Sequence, residues 1–150
     1  MKEHDPYTGD FVTAGWRKLY RFSGLLLGVI FALVGAMFLL EPTWVVLFFN
    51  GVARRWGMAQ SRVPEASLYL ALAVAYMYAV TLLALGMFFH PEERAYSRLL
   101  VQAKSASAAV SLILCFSFGW QLILLSNAVV DGTIALAVAH LEYRGRKRQR

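Results

Sequence analysis

Residues 96–141, YSRLLVQAKSASAAVSLILCFSFGWQLILLSNAVVDGTIALAVAHL, decide the fold. Two apolar runs lie on either side of Gly119, each long enough to cross a bilayer, and each carries one charge, Lys104 in the first and Asp131 in the second. A charge at bilayer depth costs ~2.5–3.5 kcal/mol even on insertion scales, so it faces the protein interior and takes a partner. Counting ~1.5 Å per residue from Tyr96 and from Leu141 places Lys104 ~12 Å and Asp131 ~15 Å from the same face. The short connection at Gly119 makes the two runs antiparallel neighbours, and a Lys104–Asp131 ion pair follows. Lys104, Ser107 and Ser111 share one helical face, and Asn127 lies one turn before Asp131. Asn127, Ser107 and Ser111 are therefore expected to supply the further hydrogen bonds that a buried pair needs.

The remainder of the chain fits the same solvent. Hydrophobic residues make up 59% of the 150, more than an ordinary soluble domain carries, and they fall in long blocks. The fold expected is all-α, an integral membrane up-and-down four-helix bundle with an interfacial or re-entrant helix after the first span. Spans are predicted at about 23–40, 66–89, 96–118 and 120–141, with the interfacial helix at about 43–56. Residues 1–22 form an N-terminal segment, a short helix from about Asp10 with Arg17, Lys18 and Arg21 at headgroups or else a solvated tail; 23–143 form the transmembrane domain and 144–150 a basic tail.

In the first span Gly24, Gly28, Ala32 and Ala36 recur every fourth residue. Such a stripe of small side chains lets another helix approach closely. Pro42 ends or kinks this span because it lacks the amide proton of a helix interior. In the stretch that follows, Trp44, Val45, Phe48 and Val52 fall near one face. The second span has Ala71, Ala75, Ala79 and Gly86 as small packing positions, and Tyr76 and Tyr78 near mid-membrane, where their hydroxyls need partners.

With four spans both termini share a side. Lys2, Arg17, Lys18, Arg21, Arg94, Arg98 and the tail residues Arg144, Arg146, Lys147, Arg148 and Arg150 fall there, against Arg54, Arg55 and Arg62 opposite. The positive-inside rule makes that side cytoplasmic. The net charge of +6 is then an anchor to lipid and not a footprint for nucleic acid.

Candidate chemistry is sparse. His90 and His140, near the cytoplasmic ends of their spans, are the weak candidates for a metal or a bis-His haem, with Glu92, Glu93 or Glu142 nearby, but no regular ligand spacing supports them. Cys115 is the only cysteine, which excludes an intrachain disulfide and any CxxC site. No HExxH, GxSxG, Walker or dinucleotide fingerprint is present.

The arrangement resembles the DoxX-like group of small bacterial four-span membrane proteins. The residues that carry the resemblance are LLEP at Leu39–Pro42 and the amphipathic stretch after it, HPEER at His90–Arg94 with Lys104 ten residues beyond, and VVDG at Val129–Gly132. It covers Ser23 to Tyr143 and implies the architecture without a reaction, although some members are similar to membrane subunits of quinone-linked oxidoreductases. The expected function is a non-enzymatic binding or accessory membrane component without a cofactor, its partners the lipid bilayer and other membrane subunits or a homo-oligomer. A quinone-linked oxidoreductase subunit is the alternative, and a small proton-coupled transporter acting as an oligomer a second one. The Lys104–Asp131 pair has three open roles: a lock on helix register, the lining of a polar pocket, or a contact to a partner subunit.

Overall fold

A computed structural model describes residues 6–62 and 68–147, with side chains described from 15 to 144. The expected start of the second span at residue 66, the end of the basic tail at 148–150 and the side chains of 6–14 and 145–147 lie outside that description. Five helices are present among the described residues: α1 (Pro6–Leu40), α2 (Pro42–Arg55), α3 (Leu68–Phe89), α4 (Arg94–Phe118) and α5 (Leu122–Lys147). All but α2 are long and apolar enough to cross a membrane.

The helix boundaries follow local chemistry. Pro42 occupies the first turn of α2, where its missing amide proton costs nothing. Glu41 N–H still reaches Met37 O at 2.9 Å, so α1 and α2 are separated by a bend of one residue. Gly57 at φ 66° and Gly119 at φ 92° take left-handed conformations that stop α2 and α4. Pro91 helps to close α3, and Glu93 N–H bonds His90 O at 3.0 Å across the turn.

The N-terminal segment differs from expectation. It is no separate surface helix, because α1 runs unbroken from Pro6 through the apolar block. No proline or paired glycine interrupts the intervening residues, so the helix has no cause to stop.

Helix α1 packs on α3, α4 on α5, and α3 on α4. The register along each seam shows that the paired helices run in opposite directions. Gly24 lies against Ala84 and Met87, Gly28 against Leu85 and Gly35 against Met77. Between α3 and α4, Gly86 meets the Tyr96 ring, while Tyr76 reaches Ala103. Buried Tyr20, Phe31, Val80, Ala84, Met87, Leu100 and Val138 form the common core.

Several packing faces depart from the sequence reading. Ala32 and Ala36 are exposed, and the α1 contact passes instead through Phe31 and Gly35. A four-residue step overshoots the 3.6-residue turn by about 40°, so a strict i+4 stripe leaves the seam after two steps. Ala71, Ala75 and Ala79 are exposed as well; Val80, Thr81, Ala84 and Met87 form the inward side of α3. In α2 the buried residues are Val45, Val46 and Ala53. Trp44 and Phe48 face outward and stack at 5.8 Å.

Candidate functional site

Lys104 and Asp131 meet in the middle of the α4–α5 seam, with Lys104 Nζ 2.7 Å from Asp131 Oδ1. Their side chains are 3% and 4% exposed, so the pair is sealed from its surroundings. Antiparallel packing makes the meeting possible: the same seam joins Ser97 to Glu142 at one end and Ser111 to Asn127 further along.

The surroundings of the ammonium are aromatic. Lys104 Nζ sits 4.4 Å from the centroid of the Phe31 ring and 5.3 Å from that of Tyr76. A cation over a ring face is attracted by the negative face of the quadrupole, by ~2 kcal/mol when desolvated. The Tyr76 hydroxyl donates to Ala103 O at 3.0 Å, which holds the ring in place. One side chain from each of α1, α3, α4 and α5 thus converges at this point.

Asn127, Ser107 and Ser111 behave differently from expectation. Asn127 Nδ2 donates to Ser107 Oγ at 3.2 Å and Ser111 Oγ at 2.8 Å, which ties α5 to α4 a second time. None of these side chains hydrogen-bonds Lys104 or Asp131 among the described residues. Asn127 precedes Asp131 by one turn, and its amide is used up on the nearer hydroxyls. Phe31 was not among the residues singled out from sequence. Its signal lay in the Gly24, Gly28, Phe31, Gly35 spacing, which follows the 3.6-residue turn where the Gly/Ala stripe does not.

Two further polar clusters flank the pair. At one end Arg98 Nε lies 3.1 Å from Glu142 Oε1, and Ser97 Oγ donates to Glu142 Oε2 at 3.4 Å. A cleft of about 350 Å³ opens beside them, lined by Arg98, Val101, Gln102, Ala139, Glu142 and Tyr143. At the other end Asn50 pairs reciprocally with the Ser61 backbone at 2.7 and 2.8 Å, and Ser61 Oγ donates to Gln121 Oε1 at 2.7 Å. This cluster fastens the segment after α2 to the α4–α5 turn.

The histidines do not converge on a centre. His90 stacks on Tyr96 at 6.0 Å, and His140 is exposed on α5. No group of three or more His, Cys, Asp or Glu side chains that could hold a metal occurs among the described residues. Tyr76 has the partner it needed, whereas Tyr78 points outward and is 65% exposed. Cys115 is buried in the α4–α5 seam with its thiol 4.0 Å from Gln121 O.

No protein family matches the chain, and neither a curated protein nor a solved structure matches it.

Proposed function

We propose that this chain is a small multi-pass protein of the bacterial inner membrane, a non-enzymatic binding or accessory component that works beside other membrane subunits. Its termini are cytoplasmic, and the Lys104–Asp131 pair acts as a lock on the register of the four long helices. The observation that carries this reading is the sealing of the pair: at 3% and 4% side-chain exposure, between the Phe31 and Tyr76 rings, it leaves no space for a ligand. Buried, paired charges fix the register of packed helices in some systems, and the absence of an opening at this pair favours that role here. Four helices long and apolar enough to cross a membrane are compatible with a small multi-span membrane protein.

Helix α2 lies along the outer membrane interface in this reading. It starts one residue after α1 ends, and the segment that follows it bridges to Gln121 at the α4–α5 turn, so both its ends lie at one end of the long helices. Its outward Trp44 and the nearby exposed Trp56 are of the type that settles at headgroup level.

A double-mutant cycle tests the lock. Lys104→Met and Asp131→Leu are each expected to destabilise the protein by about 3–5 kcal/mol, because each leaves one buried charge alone. The double variant is expected to recover most of that loss, read as unfolding in mixed detergent micelles. A double variant no more stable than the single ones sinks the lock. Purified protein carrying bound quinone, or showing a haem or flavin spectrum, would replace the accessory reading by that of an oxidoreductase subunit.

A further inference from the structure

The outward face of α4 differs from the outward faces around it in carrying Gln102 and Ser105 at the level of the buried pair. Gln102 is exposed and has no hydrogen bond among the described residues. It lies only about 3 Å along the helix axis from Lys104, well inside the span. A carboxamide facing hydrocarbon without partners is costly, since lipid offers it neither donor nor acceptor. Asn127 and Thr133, also outward, are satisfied within the chain, by Ser107 and Ser111 and by Val129 O at 2.7 Å, whereas Gln102 leaves two donors and an acceptor unmet where outward Tyr78 and Ser105 each leave a single hydroxyl.

We propose that α4 pairs with α4 of a second copy of this chain about a two-fold axis, with the two Gln102 carboxamides hydrogen-bonded to each other. A carboxamide carries both donor and acceptor, so its own copy is complete as a partner and no further chemistry is required. A two-fold axis places the same patch on both subunits, as such pairing demands. Ser105 and Ala109, both exposed and small, continue the face from Gln102 and let the two backbones approach. Arg98, one turn before Gln102, does not oppose its symmetry mate freely, because Glu142 of its own chain holds it at 3.1 Å. The cleft beside Arg98 and Gln102 gives the partner helix room at the rim.

The inference rests on the membrane-spanning placement, and the experiment separates the two. The full chain with Cys115→Ala is reconstituted into phosphatidylcholine vesicles, and carbonate extraction first establishes insertion. Ser105→Cys in that background is expected to form a disulfide-linked dimer on oxidation, whereas Leu33→Cys, on the outward face of α1, is expected to stay monomeric. Adding Gln102→Leu to Ser105→Cys is expected to lower the cross-linked fraction about ten-fold at a fixed protein-to-lipid ratio, and Gln102→Asn to preserve most of it. Unchanged helical circular dichroism shows that the variants are folded. Inserted protein that stays monomeric, or cross-links equally with Gln102→Leu or through Leu33→Cys, overturns the dimer. Protein extracted by carbonate overturns the membrane reading itself.

Discussion

The α1–α3 seam and the α4–α5 seam differ in the contacts that dominate them. Along α1–α3 the contacts are made by absence of side chains: Gly24, Gly28 and Gly35 let α3 approach until a Cβ at Gly24 would lie 2.8 Å from Ala84 O. Along α4–α5 the contacts are polar, from Arg98–Glu142 through Lys104–Asp131 to Asn127 with Ser107 and Ser111. Lipid tails remove the hydrophobic drive between helices, so close van der Waals packing and interhelical hydrogen bonds are the means that remain. Close packing leads along α1–α3, where Arg21 Nε also donates to Phe88 O at 3.1 Å, and polar contacts lead along α4–α5, where buried Ala108, Ala128 and Ala135 also pack. Lys104 joins the two, because the rings it faces belong to α1 and α3.

The contrast can be broken from the glycine side. Gly24→Val is expected to destabilise by about 1–3 kcal/mol, toward the upper end because the obstacle is a backbone oxygen that cannot move aside. Ala32→Val, a similar enlargement on the exposed face of the same helix, is expected to stay within about 0.5 kcal/mol. Equal effects at both positions, measured by unfolding in mixed micelles, would show that the glycines do not define the seam.

The link between the seams is tested at Phe31. Phe31→Leu keeps an apolar side chain against α3 but removes the ring face under the Lys104 ammonium, with an expected loss of about 2 kcal/mol. In the Lys104→Met background the same change is expected to cost clearly less, since only packing is left to lose. An identical cost in both backgrounds would sever the aromatic connection from the ion pair.

The smallest effect is expected at Asn127. Asn127→Ala removes two hydrogen bonds to hydroxyls at an exposed position and is expected to cost about 0.6–1 kcal/mol. A loss as large as that of Asp131→Leu would mean that the Asn–Ser cluster and the ion pair act as one unit.

Much of this arrangement was legible in the chain. The apolar blocks appear as helices, Gly119 and Pro91 mark their ends, and the Lys104–Asp131 contact followed from depth counted along antiparallel neighbours. The departures share one origin, the rotation of faces around each helix. A strict four-residue stripe put Ala32 and Ala36 in the seam, and the outward Trp44 and Phe48 were grouped with the inward Val45. Asn127 was expected at the ion pair because it shares a face with Asp131, yet its amide finds Ser107 and Ser111 first.

The sequence by itself determined that four helices are long and apolar enough to cross a membrane, and that two charges inside them had to find each other. Length, hydropathy and the cost of a lone charge are properties of residues taken in chain order, so no neighbour is needed to read them. Only the tertiary structure decided that Phe31 and Tyr76 close over Lys104, and that Gln102 is left facing outward without a partner. Both depend on the rotation of each helix about its own axis. That rotation is set by the contacts between helices, by glycines that admit a neighbouring backbone on α1 and by paired polar groups along α4–α5, and not by the order of residues along one helix.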